Sequence, residues 1–364
     1  MLHSSLAPYL LWAKKRQPAA IDLAGSNLLH CGLDDLPGAR EAVELTGPDD
    51  NGYPPLVAAI ARQYGVPTGR VVTAPGCSGA NFLAIAATLG PGDDVLIERP
   101  SYDPLIGACQ LMGATVRRFD RRFEAGYRLD VDEIRAHLTP RTRLIVVTTP
   151  HNPSGVVLDG SALAGLGPIA AAVGAHVLVD EVYLDAANLL RAGAPPIRPA
   201  ALLPGPFIST NSLTKSFGLA GLRCGWAMGP PDLIERMRRT RDLIDNIGAA
   251  PADRLSTLAF AELPRLADRA ERLLGTNVEL ARRFLTAHRE LEVAGLPAAS
   301  VMFPRLVGVA DADPFVQSLF ERYGVAVAPG RFFEAPAHFR ISLGGRSEAV
   351  EDGLRRIGEA LGAR

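Results

Sequence analysis

One lysine stands in the interior of the sequence, and its chemistry separates it from the other basic residues. Of the 38 basic residues, only Lys14, Lys15 and Lys215 are lysines. A guanidinium cannot lose its proton to become a nucleophile, whereas a lysine amine can do so once burial or a nearby cation lowers its pKa. An isolated lysine is usually a solvated surface residue. The segment SLTKSFGLAGLRCGW, which contains Lys215 and Arg223, favours the nucleophilic amine instead.

Two further polar segments follow apolar runs of the sequence. The segment PHNPSG, residues 150–155, comes after the run 144–149, and the segment VDEVY, residues 179–183, overlaps the end of the run 176–180. Open α/β sheets bind their ligands at the carboxyl ends of the strands. We therefore expect both segments to lie beside Lys215 in one site.

Apolar, β-rich runs alternate with helical patterns through the first two thirds of the chain. Strands are predicted at residues 71–74, 95–98, 115–119, 144–149, 176–180, 207–210 and 224–228, and crossover helices at 81–89, 104–112, 131–138 and 161–173. This alternation predicts an α/β fold, a large domain whose mostly parallel sheet is sandwiched by helices.

The pattern changes after about Pro230, where Arg-rich helical stretches dominate as far as His288. A few strand-like runs follow, around residues 299–303, 324–328 and 339–343. This part predicts a helical connection into a smaller α+β domain. The predicted organisation is an N-terminal arm and small-domain segment at 1–45, a large domain at 46–240, and an interdomain helix with a small C-terminal domain at 241–364.

Composition and charge argue against several classes of function. The net charge is −1 without a long basic run, so nothing indicates a nucleic-acid partner. The apolar stretch 6–12 is too short to span a bilayer, and Lys14 and Lys15 follow it, whereas a signal peptide begins with its positive charges. We interpret it as the amphipathic arm of a cytoplasmic protein with no membrane partner. The four cysteines form no C-x-x-C pair, which predicts structural thiols and no metal site.

The three polar segments, in this order and at this spacing, resemble the fold-type I pyridoxal 5'-phosphate (PLP) enzymes of the class I/II aminotransferase family, which includes the aspartate aminotransferases. The similarity extends from about Asn51 to Gly345. It implies that the large domain binds PLP and that Lys215 holds the cofactor as a Schiff base. The implied reaction moves an amino group between an L-amino acid and a 2-oxo acid.

The resemblance also implies roles around the cofactor ring. Asp180 would keep the pyridine nitrogen protonated, as an electron sink requires. Asn152 and Tyr183 would bond the ring's phenolic oxygen, and Tyr102 would stack on the ring face. Taken singly, Asp180 could cap a helix, Asn152 could shape a turn, and the two tyrosines could be packing residues.

A phosphate needs backbone donors, a helix N-terminus and a cation. By resemblance, Ser78, Gly79 and Ala80 form the phosphate loop, while Ser212 and Arg223 complete it. Most strand-to-helix turns of this kind bind nothing, and Arg223 could form a surface ion pair. Ala80 departs from the family, because some relatives carry a hydroxyl there, so one phosphate contact could be missing.

The remaining implied residues concern the substrate and a second subunit. Arg340 matches the arginine that grips the substrate α-carboxylate, with Asn152 beside it, although an arginine in an alternating strand can also face solvent. Tyr53 resembles the tyrosine that reaches the neighbouring subunit's phosphate, so the implied active unit is a homodimer with shared sites. The segment 25–32 and Arg254 stand near family substrate contacts but have no assigned role.

Other reactions share nearly all of these residues. Amino-acid lyases, decarboxylases and cyclising synthases on the same fold remain alternatives to transamination. Ser212 and Lys215 also satisfy the S-x-x-K pattern of serine acyltransferases, but the sequence contains no S-D-N or K-T-G element. A ligand-sensing module coupled to a DNA-binding region would need more chain before Asn51.

Overall fold

The computed structural model describes residues 7–48, 50–191 and 193–363. The start of the predicted N-terminal arm, residues 1–6, lies outside the described residues. The rest of the arm begins with a short helix, Pro8–Lys15, in which Tyr9 is buried.

The elements of the described residues are given in chain order. The α-helices are α1 (Pro8–Lys15), α2 (Pro54–Tyr64), α3 (Gly76–Thr88), α4 (Asp103–Leu111), α5 (Val131–His137), α6 (Gly160–Ala172), α7 (Leu184–Leu189), α8 (Leu213–Phe217), α9 (Pro231–Asp242), α10 (Ala250–Ala261), α11 (Leu263–Ala287), α12 (Asp313–Tyr323) and α13 (Ser347–Gly362). The strands are β1 (Ile21–Asp22), β2 (Val71–Pro75), β3 (Asp94–Arg99), β4 (Thr115–Asp120), β5 (Thr142–Thr148), β6 (His176–Asp180), β7 (Phe207–Ser212), β8 (Cys224–Met228), β9 (Leu291–Glu292), β10 (Val301–Met302), β11 (Arg305–Leu306), β12 (Val325–Ala326), β13 (Ala328–Pro329) and β14 (Phe339–Ser342).

A seven-stranded sheet organises the larger part, in the order β2-β8-β7-β6-β5-β3-β4. Successive residues of β5 enter different cores, Leu144 and Val146 on one face and Ile145 and Val147 on the other. Helices cover both faces, so these strands are continuously apolar. All seven strands predicted for this region are present, and the α/β class is confirmed.

The direction of β8 brings three loops to one edge of the sheet. β8 is antiparallel to both neighbours, whereas the other pairs are parallel. Its first residues therefore lie beside the last residues of β2 and β7, with Gly225 opposite Ser212. A Cβ on Gly225 would come within 2.1 Å of the Gly76 carbonyl carbon, so this close approach requires glycine. The beginning of α3, Ser212 and Arg223 consequently meet at the carboxyl edge.

The beginning of the chain joins a second core with the C-terminal part. β1 pairs in parallel with β12, and Ile21 and Leu23 pack in the same hydrophobic cluster as Phe339 and Ile341. The strand-like runs predicted here form only two- to four-residue strands. Leu36 and Ala39 pack with residues of the larger part instead, and the predicted division at residues 46 and 241 remains a prediction.

The helix α11 connects the two cores. Its buried stripe runs from Leu266, in a core of the larger part, to Val278 and Phe284, in the core of the smaller part. The Asn277 side chain donates to the Leu343 carbonyl at 2.7 Å, which ties the helix to the end of β14. Over the ranges given above, no helix has both the length and the apolar character needed to cross a membrane.

Candidate active site

A cavity of about 500 Å³ opens at the carboxyl edge of the sheet. Many of the predicted site residues line it: Ser78, Tyr102, Asn152, Asp180, Ser212, Lys215 and Arg223. The ends of β2, β5, β6 and β7 therefore bring together residues that are far apart in the chain.

The Lys215 amine lies at the base of this cavity. Ser212 ends β7 and caps α8, because its hydroxyl accepts the Thr214 N–H at 3.3 Å. The next turn presents Lys215, whose Nζ donates to Ser26 Oγ at 2.8 Å and Asn27 Oδ1 at 2.7 Å. Burial lowers the pKa of Lys215 to about 7, and the Arg340 charge adds to this effect. Near neutral pH, a substantial fraction of the amine is unprotonated and nucleophilic.

Asp180, the last residue of β6, is held by a buried network. Its carboxylate accepts the Asn81 side-chain N–H at 2.8 Å and the Val182 N–H at 3.1 Å. Asn81 in turn accepts the Thr210 hydroxyl at 2.5 Å. Burial raises the pKa of Asp180, while the hydrogen bonds from Asn81 and Val182 oppose that shift. The residue is thus a fixed, buried carboxylate suited to pair with a protonated ring nitrogen.

Tyr183 and Tyr102 provide an observation that tests the fit of PLP. Among the described residues, the buried Tyr183 hydroxyl has no hydrogen bond of good geometry, although Ser26 lies close to it. A buried hydroxyl without a partner is costly, and an oxygen acceptor on a bound ring would satisfy it. The Tyr102 ring lines the same cavity as Asp180 and meets the Tyr9 ring edge-on, with 6.2 Å between the ring centroids. These residues fit a flat ring that carries a phenolic oxygen.

The phosphate cradle begins earlier in α3 than the sequence predicts. Ala80 is fully buried in the core, and its N–H lies within the helix ladder. This burial does not favour the predicted contact through Ala80, which stays a prediction. Cys77 and Ser78 in the first turn line the cavity instead. Gly79 also lies in the first turns, and its predicted role stays a prediction.

Arg223 completes the cradle from the loop before β8. Its backbone is left-handed, with φ of +51°, and its guanidinium donates to the Pro75 carbonyl at 3.1 Å. Gly76 makes room for this side chain, because a Cβ there would come within 2.5 Å of Arg223 Nη2. A helix N-terminus, a serine hydroxyl and a guanidinium form a suitable anion site.

Arg340 is a buried guanidinium in β14, with only 1% of its surface exposed. It donates to Asn152 Oδ1 at 3.0 Å, to Tyr9 Oη at 2.5 Å and to the Ala24 carbonyl at 3.3 Å. Its Nε is buried without a partner, and no carboxylate of the described residues forms an ion pair with it. A buried cation without a counter-charge is destabilising. An added carboxylate would supply that charge.

Sequence reasoning missed several residues that touch these groups. Tyr9 contacts Arg340, Ser26 and Asn27 contact Lys215, and Asn81 contacts Asp180. The segment 25–32 therefore enters the site through Ser26 and Asn27. The polar residues in that segment were the available signal, whereas Tyr9 and Asn81 carried none.

Tyr53 lies away from this cavity. It precedes α2, and the Arg254 guanidinium stands over its ring at 5.8 Å from the centroid. Gly47 packs against both side chains. Within one subunit, the structure thus groups Tyr53 with Arg254 rather than with Lys215.

The open α/β sheet, a lysine of lowered pKa, a buried carboxylate and an anion cradle at one edge define a PLP enzyme of fold type I. The chain belongs to the family described as "Aminotransferase class I and II", whose profile matches residues 22–357. It is a PLP-dependent aminotransferase, and its substrates are amino acids and keto acids.

Individual relatives cover nearly the whole chain. It is 31% identical to a capreomycidine synthase from Streptomyces vinaceus, over 98% of this chain and 94% of that protein. It is 32% identical to a probable N-succinyldiaminopimelate aminotransferase, DapC, of Mycobacterium tuberculosis, over 98% of each. A PLP-dependent aminotransferase structure from Streptococcus suis 89-1591 has the same fold, with a TM-score of 0.90 and 23% identity over 100% of this chain and 99% of that one.

Proposed function

We propose that Lys215 binds PLP and that Asp180, Asn152, Tyr183 and Tyr102 surround its ring. When bound, PLP supplies an electron sink for the bond that is broken at the substrate Cα. Asp180 would hold a proton on the pyridine nitrogen. Asn152 and Tyr183 would face the phenolic oxygen, and Tyr102 would cover the ring. The unpartnered Tyr183 hydroxyl supports this arrangement.

The proposed site for the substrate carboxylate rests on the unpaired charge of Arg340. Its guanidinium is buried, and Asn152, Tyr9 and the Ala24 carbonyl fix its orientation. A carboxylate that reached Arg340 would gain charge-assisted hydrogen bonds at low solvent exposure. We assign this place to the α-carboxylate of an amino acid.

Lys215 is also the proposed proton carrier. Its amine, freed when a substrate amine takes its place, would accept the Cα proton and return it. In the cofactor-free protein the pKa of this amine is lowered to about 7. Arg340 would hold the substrate carboxylate while Lys215 moves this proton. Retention of the carboxylate at Arg340 would disfavour loss of carbon dioxide.

Only decarboxylation among the competing reactions would break a different bond at the same carbon. A cyclising or eliminating reaction would also begin with loss of the Cα proton, and one relative named above is a synthase, so a cyclising reaction stays the second candidate. The relative named as an aminotransferase and the family as a whole favour transamination. Holding the carboxylate at Arg340 would argue against decarboxylation alone.

We also propose a homodimer in which Tyr53 reaches the partner's phosphate site. Large apolar side chains are exposed beyond α9, where Leu243 is 88% and Ile247 58% exposed, and before α2, where Leu45 is 83% exposed. Exposed apolar surface of this kind is typical of a protein interface. The four free cysteines support the proposed cytoplasmic location, since disulfides are rare there.

Reductive labelling tests the cofactor assignment. Borohydride treatment of the holoenzyme followed by peptide mapping should place a pyridoxyl group on Lys215. Lys14 and Lys15 are internal controls, because both are exposed. A label on either of them, or no label, would contradict the assignment.

A further inference from the structure

A buried ion pair lies behind the substrate site and has no place in the mechanism above. Glu98, near the end of β3, and Arg121, just after β4, have fully buried side chains, and Arg121 Nη1 donates to Glu98 Oε2 at 2.7 Å. Arg121 also donates to the Tyr127 and Thr148 carbonyls at 2.7 and 3.1 Å. The pair therefore joins the carboxyl ends of three adjacent strands at the edge where the cavity opens.

Thr148, the last residue of β5, links this pair to the site. Its hydroxyl donates to Glu98 Oε1 at 2.6 Å, and its N–H donates to the same oxygen at 2.8 Å. A hydroxyl has one proton. Because the Thr148 hydroxyl donates its one hydrogen bond to Glu98, its oxygen can only accept hydrogen bonds from its other neighbours.

Asn152 uses one of those lone pairs. Its backbone N–H donates to Thr148 Oγ1 at 2.9 Å, while its side-chain Oδ1 accepts Arg340 Nη1 at 3.0 Å. A guanidinium has no acceptor, so the Asn152 oxygen must face Arg340 and its amide nitrogen must point elsewhere. One series of hydrogen bonds therefore extends from Arg121 and Glu98 through Thr148 and Asn152 to Arg340.

We propose that Thr148 is a positioning residue, which uses the buried Glu98–Arg121 pair to fix Asn152 and, through Asn152, the carboxylate-binding Arg340. The inference rests on the proposed function of Arg340 and adds a residue that touches neither substrate nor cofactor. A loop that follows a strand is otherwise free to shift. The ion pair restricts that freedom, because the Thr148 hydroxyl donates to the fixed Glu98 carboxylate and the Asn152 N–H donates to the Thr148 oxygen.

Substitution of Thr148 separates positioning from general packing. Thr148→Val removes the hydroxyl at nearly constant shape, and Thr148→Ser keeps it. Thr149 offers a matched control in the next residue, since its hydroxyl is also buried and accepts only a neighbouring N–H, that of Leu158, at 3.1 Å. Thr149→Val therefore removes an equivalent buried hydroxyl outside the series.

The measurement is binding of propanoate, a simple carboxylate, to each holoenzyme. It is followed by the absorption of the lysine-bound cofactor and checked against thermal unfolding. We expect Thr148→Val to weaken propanoate binding about fivefold or more, the effect of one lost buried hydrogen bond. Thr148→Ser and Thr149→Val should remain near wild type. The pH midpoint of the absorption change should also move in Thr148→Val, because Asn152 faces the cofactor.

Two outcomes would overturn the inference. One is wild-type propanoate binding in Thr148→Val, and the other is an equal loss in Thr149→Val. If Thr148→Val does not fold, Thr148→Ala provides the same test, because its smaller side chain leaves room for a water beside Glu98. Failure of the proposed function is distinguishable, since the wild-type holoenzyme would then bind no propanoate or Lys215 would carry no cofactor.

Discussion

The Lys215 amine donates a 2.7 Å hydrogen bond to the side chain of Asn27, which lies 188 residues earlier in the chain. The contact closes the site between the large sheet and the N-terminal segment, which packs with the smaller core. The lysine is half-buried, and desolvation of its amine lowers the pKa to about 7. The desolvation that makes the amine reactive also lowers the free energy of unfolding, which can be measured in the protein without cofactor.

Lys215→Met should change the pH dependence of stability of the cofactor-free protein. The folded pKa of about 7 lies below that of an unfolded lysine, so between these values the unfolded state binds more protons. Wild-type stability therefore rises with pH across this window relative to Lys215→Met. The variant should be the more stable protein at pH 6, and the difference should narrow toward pH 10. Denaturant unfolding measures the free energy of unfolding of each protein across this pH range, with Lys14→Met as the exposed control. A difference between wild type and Lys215→Met that does not change with pH would contradict the lowered pKa of the amine.

Asp180→Asn should allow the cofactor to bind Lys215 but slow removal of the Cα proton, because the ring nitrogen would lose its anionic partner. We expect a decrease on the order of 10²-fold or more. Rapid mixing with an amino acid under single-turnover conditions measures this step. Asp185→Asn is the control, since Asp185 is half-buried and accepts a hydrogen bond from Asn211 outside the cavity. Unchanged kinetics in Asp180→Asn would count against the assignment.

Arg340→Ala should weaken amino-acid binding while the lysine-bound cofactor keeps its absorption. Removing one partner of a desolvated charge pair costs roughly 2–5 kcal/mol. Titration of the holoenzyme with its best amino-acid donor gives the loss directly. Arg322→Ala, at an exposed arginine of α12, should bind as wild type does. Equal affinities for wild type and Arg340→Ala would remove Arg340 from the substrate site.

Tyr53 variants should reveal shared sites. If Tyr53 completes the partner's phosphate site, Tyr53→Ala and Lys215→Ala homodimers are both impaired, but their hybrid contains one intact site. Random reassortment of an equal mixture should then restore about a quarter of wild-type activity, since half of the dimers are hybrids. Activity that never exceeds the sum of the two parents after subunit exchange would refute a shared site.

Local motifs at the strand ends were sufficient to predict the large sheet and to bring Lys215, Asp180 and Asn152 to one edge. Each of these residues follows or ends a strand, so sequence order determined their placement. Ser26, Asn27 and Tyr9 could not be found in this way. Their contacts depend on how the two cores pack, which no local pattern encodes.

The burial of Ala80 could not be predicted for a similar physical reason. The glycine-containing start of α3 has little apolar periodicity, so the sequence predicted a helix from residue 81, whereas it begins at Gly76. Beginning the helix earlier rotates Ala80 into the core and moves the first turn to Cys77 and Ser78. Helix boundaries near glycine and proline are poorly determined by propensity alone.

The half-reaction of the holoenzyme with single amino acids tests amino transfer most directly. Mixing with a suitable L-amino acid should convert bound PLP to pyridoxamine phosphate with release of one 2-oxo acid per site, and addition of a 2-oxo acid should reverse the spectrum. Arg340 would hold the substrate carboxylate and so disfavour loss of carbon dioxide. Steady formation of carbon dioxide, of ammonia and pyruvate, or of a cyclised amino acid, with no pyridoxamine phosphate at any time, would contradict it.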